Sequence, residues 1–414
     1  MTITIMSDYL VFPVYTHSTN KKMVFQYEGE TIDQLNIKLD NTNPDFYAYI
    51  DVSRFKGEDI EISVLPEMEI SFREADALDI DNLYREALRP QIHYTVKNGF
   101  LGKPKNLVYS DGVYHLFYQY NPAGTEEGNF CFGYATSKDL IHWQEEKISA
   151  VSNEKTFLNG KCAEIFALAD SDGNQKWISI NEKGEYFVGT VENGRFQAEQ
   201  PEKMLRYGNS SCVSQILTES KDGRKLCLDW SAMESLHFGF GGQMGVPMEL
   251  SLEKHNDEYY LSVFPAEELG VLYKNTNRYE NIKTDKEKMV IIPLADAAQF
   301  IRLKGKFDEN AVLDLILFGR KIQIDFSENR ISIGKNQAPV FVAEKELDIT
   351  LLVDRRSVEL FADGGKIYLC DSSEESLVDR NLLSLVLSCN MEYSLDFAEI
   401  HALEPIWQTS PKIF

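Results

Sequence analysis

A chain of 414 residues with 43% hydrophobic content is long enough for two or three domains with ordinary buried cores. Its formal net charge of -23 argues against partners held through phosphate backbones or anionic lipid, so neither nucleic acid nor a membrane surface is expected. No stretch reaches the roughly 20 apolar residues that cross a bilayer. The opening MTITIMSDYL carries neither a basic nor an apolar leader segment. The chain as written is therefore expected in the cytoplasm, or outside the cell if a leader precedes it.

Short runs rich in Val, Ile, Tyr and Phe recur along the chain, separated by turn dipeptides such as Asp111-Gly112, Asn193-Gly194, Asp222-Gly223 and Asp363-Gly364. This is an all-β pattern. The first block, residues 1–78, predicts strands over 9–14, 23–27, 35–39, 46–52 and 60–64 and reads as a small β-sandwich. Residues 79–88 predict a short helical linker, acidic at its start and apolar at Leu83 and Ala87. The second block, 89–290, repeats hairpins built on an apolar strand, a Gly turn and a second strand, clearest over 107–120, 177–191 and 213–230. That repetition is how the blades of a β-propeller read. The third block, 295–414, predicts strands over 349–353, 358–361 and 382–388 without helix signals, and reads as a second β-sandwich.

Cys131, Cys162, Cys212, Cys227, Cys370 and Cys389 are scattered without a Cys-x-x-Cys pair or a clustered His. They predict buried thiols, with no metal and no cofactor.

The second block opens with Arg89-Pro90-Gln91-Ile92-His93-Tyr94, then Gly99-Phe100-Leu101-Gly102-Lys103-Pro104-Lys105-Asn106-Leu107-Val108-Tyr109. It continues through Tyr114-His115-Leu116-Phe117-Tyr118-Gln119-Tyr120-Asn121-Pro122 and Ser137-Lys138-Asp139-Leu140-Ile141-His142-Trp143. This run resembles glycoside hydrolase family 32, the invertases, levanases and inulinases, whose catalytic propeller opens with Arg-Pro-Gln-Phe-His and Trp-Met-Asn-Asp-Pro-Asn-Gly-Leu-Val-Tyr. Further on, Lys161-Cys162-Ala163-Glu164 resembles that family's Glu-Cys-Pro-Asp, and Leu205-Arg206-Tyr207-Gly208 its Leu-Asp-Tyr-Gly. Arg224-Lys225-Leu226-Cys227-Leu228-Asp229-Trp230 resembles its Arg-Arg-Ile-Leu-Ile-Gly-Trp. Val353-Asp354-Arg355-Arg356-Ser357-Val358-Glu359-Leu360-Phe361 resembles a strand of the sandwich behind the propeller. The resemblance covers about residues 89 to 414 and implies a five-bladed type of propeller followed by a sandwich; the first block resembles, more weakly, an accessory domain of bacterial levanases.

Retaining hydrolysis of a fructoside needs a carboxylate nucleophile and a second carboxyl group about 5 Å away. The family's nucleophile is the Asp of Asn-Asp-Pro-Asn, and Lys103 stands at the matching position. Its acid/base is the Glu of Glu-Cys-Pro, and Lys161 stands there. The family's Arg-Asp-Pro element should lie between these two points, but no such tripeptide occurs there. A deletion is the simplest account, leaving a shortened propeller of about three blades. Open blade edges would then need cover, from a homodimer or from the first block.

What the resemblance leaves for a sugar is Gln119 and Trp230, with Phe100 and Phe132 at positions where the family has Trp. Arg206 replaces the Asp of Asp-Tyr-Gly. Lys103, Lys161 and Arg206 either form an anion pocket for a sugar phosphate or reach out to solvent, the latter being the expected outcome. His93, His115 and His142 predict structural roles. The expected function is a non-catalytic carbohydrate-binding pseudoenzyme with a fructan, sucrose-like or sugar-phosphate ligand. Two alternatives remain: a glycosidase using relocated acids such as Glu164, Asp229, Glu126 or Glu127, or a scaffold for protein contacts.

Overall fold

The computed structural model describes residues 1–79, 83–129, 131–146, 164–181, 183–208, 215–217, 221–233, 238–284, 286, 288–295, 298–340, 346–373 and 382–407, with only the backbone described at 215–217. The described residues are built into β-strands, with short 3-10 segments of three to six residues as the helical elements.

In the first block, two antiparallel sheets face each other. One contains Thr2–Thr4, Asp59–Leu65, Lys21–Tyr27 and Glu30–Ile37, the other Phe46–Asp51, Tyr9–Val14 and Arg73–Ala75. Their inward residues, among them Leu10, Phe12, Met23, Ile37, Ile60 and Ile62, form a core of their own. Alternation decides this face: in Asp59–Leu65 the side chains run exposed, buried, exposed, buried along the pleat.

The expected helix over 79–88 is not formed among the described residues. Residues 83–88 run as turns, and Tyr84 takes φ 63°. A helix this short is marginal in water, and tertiary contacts win: Tyr84 stacks on Trp407 at 4.0 Å and 6°.

The middle block holds three antiparallel sheets among the described residues. The first runs Gln144–Glu145, Cys131–Ser137, Val113–Asn121, Gly99–Ser110, with Phe240–Gly241 added in parallel from a distant segment. The second runs Glu164–Ala169, Gln175–Ile180, Glu185–Glu192, Arg195–Ala198, and the third Gln215–Leu217, Lys225–Ser231, Gln243–His255, Glu258–Pro265. Asp111-Gly112 and Asn193-Gly194 close two of these hairpins with both residues at positive φ, as a tight hairpin turn requires.

Behind them lie a seven-stranded sheet and a six-stranded sheet. The central strands of the seven-stranded sheet are buried on both faces. In Glu346–Val353 and Ser357–Ala362, Leu351 and Leu360 point into the core between the two sheets, while Leu352 and Phe361 point into the propeller core. This is why those strands read as near-continuous apolar runs rather than alternating ones. The boundary expected near 290–295 moves forward, because Tyr273–Thr284 pairs with Tyr393–Leu403 as the edge of this sheet. The strand is polar and exposed, as an edge is, and no linker composition announces it.

Candidate functional site

Gly99–Ser110 is interrupted by irregular register at Leu101/Pro104 and Pro104/Asn106. Such bulges re-aim side chains beside sites, and Lys103 sits on the first of them. Its ammonium lies 5.9 Å from the centre of the Trp230 ring. Gly102 backs directly onto Gln119, whose Cβ would stand 2.8 Å from any added methyl group, so glycine is required for the two strands to approach. Gln119 is buried and lies opposite Phe132, which is half-buried.

Trp230 is 1% exposed and Phe100 2%. The indole N–H donates to the Leu101 carbonyl at 2.8 Å, and Phe100 meets the indole edge-on at 6.1 Å and 86°. Two of the aromatic residues assigned to a sugar by resemblance thus serve as packing in this structure.

Arg206 corrects the expectation that it reaches solvent. It is 6% exposed, and its guanidinium forms a 2.5 Å ion pair with Asp229. Asp229 occupies a bulge in Lys225–Ser231, between Leu228 and Trp230, at the position where the resembled motif has Gly. Room for it exists because Gly245 stands opposite: a methyl there would be 3.2 Å from the Asp229 Cβ. The Arg206 cation also acts on Cys227. Burial pushes that thiol up to about 12, with Arg206 pulling the other way and Asp229 and Glu164 adding to the rise. Arg206, Asp229, Cys227 and Glu164 form one electrostatic cluster in which Asp229 is committed to the cation. Of the other candidate acids, Glu126 pairs with Lys38 of the first block at 2.6 Å and Glu127 is exposed. Lys161, Cys162 and Cys212 lie outside the described residues.

Cys131, Cys227, Cys370 and Cys389 are free thiols. Among the described residues no group of three or more His, Cys, Asp or Glu could hold a metal ion.

His93 reaches across to the sandwich. Its Nδ1 lies 2.9 Å from Asp354 and its Nε2 2.7 Å from Glu359, all three being buried. Both ring nitrogens must donate for both contacts to be hydrogen bonds, so the ring is imidazolium. Burial opposes that charge, but Glu359 and Asp354 outweigh it and raise the pKa to about 10. Asp354 also accepts the backbone N–H groups of Gln91 and Ile92, and Tyr368 donates to Glu359 at 3.1 Å. His115 meets Tyr134 at 2.8 Å and His142 meets Asp139 at 2.7 Å.

A second feature went unsignalled. A cavity of about 460 Å³ lies where the second and third sheets meet the sandwich, lined by Tyr186, Tyr207, Tyr260, Lys203, Lys366 and Asp363 among others. Its walls come from segments nearly two hundred residues apart, so no local motif could have found it.

Comparison with known proteins places these residues. A model of the glycosyl hydrolases family 32 N-terminal domain matches residues 93–163. Levanase of Bacillus subtilis is 42% identical over 503 residues, covering 81% of this chain and 73% of the levanase. The chain belongs to glycoside hydrolase family 32. That alignment is longer than the chain itself, so a long part of the levanase has no counterpart in this family 32 protein. The extracellular exo-inulinase of Aspergillus niger is 42% identical over 69 residues, and the match spans 17% of this chain and 13% of the inulinase. Invertase of Schizosaccharomyces pombe is 44% identical over 71 residues, 12% of its own length. Among solved structures, exo-inulinase from Aspergillus awamori superposes with a TM-score of 0.64 at 14% identity, over 80% of this chain and 100% of that one. A fructofuranosidase from Schwanniomyces occidentalis, complexed with fructose, gives 0.65 at 14% identity over 79% of this chain. The all-β fold of propeller and sandwich is thus the family 32 fold.

Proposed function

We propose that this chain is a non-hydrolysing member of family 32 that binds a fructan-type or sucrose-like carbohydrate without turning it over. What supports the reading is that Lys103 and Lys161 stand where the resemblance assigns the family's two carboxylates. An ammonium cannot form the glycosyl ester, and with an ordinary pKa of about 10.4 it is a poor substitute for the carboxyl group that first donates and then removes a proton. Lys103 stands with its ammonium against the Trp230 ring, and Asp229 is held in its pair with Arg206. Chance relocation of two carboxyls to the required spacing is disfavoured, because small misplacements cost orders of magnitude in rate.

The test is calorimetry of the purified protein with sucrose, short fructo-oligosaccharides and levan fragments, followed by product analysis of the same mixtures. Saturable heat with no released fructose is the expected result. Released fructose would overturn the reading, and silence with every sugar would favour the protein scaffold. A homodimer covering open sheet edges is the proposed assembly; a monomeric mass by light scattering would exclude it.

A further inference from the structure

We infer that the carbohydrate site of this protein is the cavity between propeller and sandwich, taking a neutral oligosaccharide segment, and not the ancestral groove. This rests on the proposed carbohydrate-binding function and names its location. In the ancestral groove Trp230, Phe100 and Arg206 are buried, the first two as packing and the third as an ion pair. The junction cavity, at about 460 Å³, falls within the range of small-molecule sites.

Its walls are fixed before any ligand arrives. Arg206–Gly208 pairs in parallel with Ile367–Ser372, and the Tyr368 N–H donates to the Leu205 carbonyl at 3.0 Å. Gly365, at φ 91°, lies so close to Val263 that an added methyl would stand 2.3 Å from the Val263 oxygen. The Tyr186 hydroxyl accepts the Leu261 N–H at 3.1 Å, which locks one aromatic wall. A preformed site avoids the ordering cost that weakens binding.

The chemistry of the lining selects the ligand class. Tyr207 and Tyr260, both half-buried, supply flat apolar surface of the kind a sugar's C–H face covers, with the buried Tyr186 behind them. Lys203 lies 3.9 Å from the centre of the Tyr260 ring and 2.7 Å from Glu258, which also accepts the Tyr260 hydroxyl at 2.9 Å. Lys366 pairs with Glu253 at 3.2 Å and Asp363 at 3.6 Å. Each ammonium is thus already neutralised, so an anionic ligand would meet carboxylates as readily as cations. A neutral polyol instead finds donors in the lysines and acceptors in Asp363 and the tyrosine hydroxyls of the lining.

The experiment is titration of the full chain with a short fructo-oligosaccharide, and with fructose 6-phosphate as the anionic comparison. It is read by calorimetry and by NMR of 13C-methyl-labelled methionines, with the Met204 signal assigned through Met204→Leu. Met204 lines the cavity. A saturable shift of its methyl resonance and an affinity loss of about tenfold or more in Tyr260→Ala are expected. Tyr260→Phe, which keeps the ring, should bind within about threefold of the parent. Binding heat with an unmoved Met204 signal, or loss of binding in Gln119→Ala with none in Tyr260→Ala, would overturn the location while leaving the carbohydrate function standing. Preference for the phosphate would overturn the neutral class. Absence of binding by any sugar would overturn the function itself.

Discussion

Two regions of this chain resemble family 32 motifs in sequence and differ in the charges they hold. At the positions that the resemblance assigns to the family's acidic residues stand Lys103, Lys161 and Arg206. At the junction of propeller and sandwich, His93, Asp354 and Glu359 all remain and engage one another within 2.9 Å. The second set is locked into a buried network that joins propeller and sandwich. A buried cation is tolerated where a counter-ion stands beside it, as Asp229 stands beside Arg206. A member of a buried charged triad cannot be replaced singly, because its partners would be left uncompensated away from water.

The largest effect expected from breaking this contrast is at His93. His93→Ala strands two buried carboxylates and should cost about 3–5 kcal/mol, read as a lower denaturation midpoint in urea. Next comes Asp229→Ala, which leaves a buried guanidinium short of its counter-ion and should cost about 3 kcal/mol. The double variant Arg206→Leu/Asp229→Leu should recover part of that loss, and a strictly additive double variant would show that the pair is not coupled.

The same contrast has a pH signature. The His93 pKa is raised on folding, so its contribution is complete below the unfolded value of about 6.5 and is lost as pH rises toward about 10. The Asp354 pKa is lowered on folding, burial being outweighed by His93 and the Ile92 and Gln91 N–H groups. Its contribution is present above the unfolded value of about 3.9 and fades as pH falls through the folded one. Thermal midpoints should therefore decline between about pH 6.5 and 10 in the parent and stay flatter over that window in His93→Gln.

The ancestral positions should give a null result. Restoring Lys103→Asp with Lys161→Glu should release no fructose, since the Arg-Asp-Pro element is missing as well; measurable hydrolysis would mean that the old subsite survives. Smallest of all, Lys38→Ala at the partly exposed pair with Glu126 should cost under about 1 kcal/mol, diminishing with salt.

Much of the fold was legible in the sequence. The strand expected over 9–14 is Tyr9–Val14, and the others of the first block fall within two residues of their observed bounds except that expected over 35–39, which begins at Glu30. Asp111-Gly112 and Asn193-Gly194 turn where expected, because few residues other than Gly, Asn and Asp accept positive φ. The 79–88 helix failed because a weak local preference met a strong aromatic stack, Tyr84 on Trp407, from the other end of the chain. The sandwich boundary was misplaced because a polar edge strand looks like a loop to any pattern based on alternation.

By itself the sequence determined the family and the all-β architecture, since these depend on which residues occupy a motif. Only the tertiary structure decided what the remaining residues do. Trp230 is in the motif whether it faces a sugar or Leu101, and packing alone sealed it. Arg206 could be exposed or buried on sequence grounds, and Asp229 across the fold settled which. The junction cavity exists because Glu185–Glu192, Glu258–Pro265 and Ile367–Ser372 converge there. Such convergence is a property of long-range contacts, to which local pattern is blind.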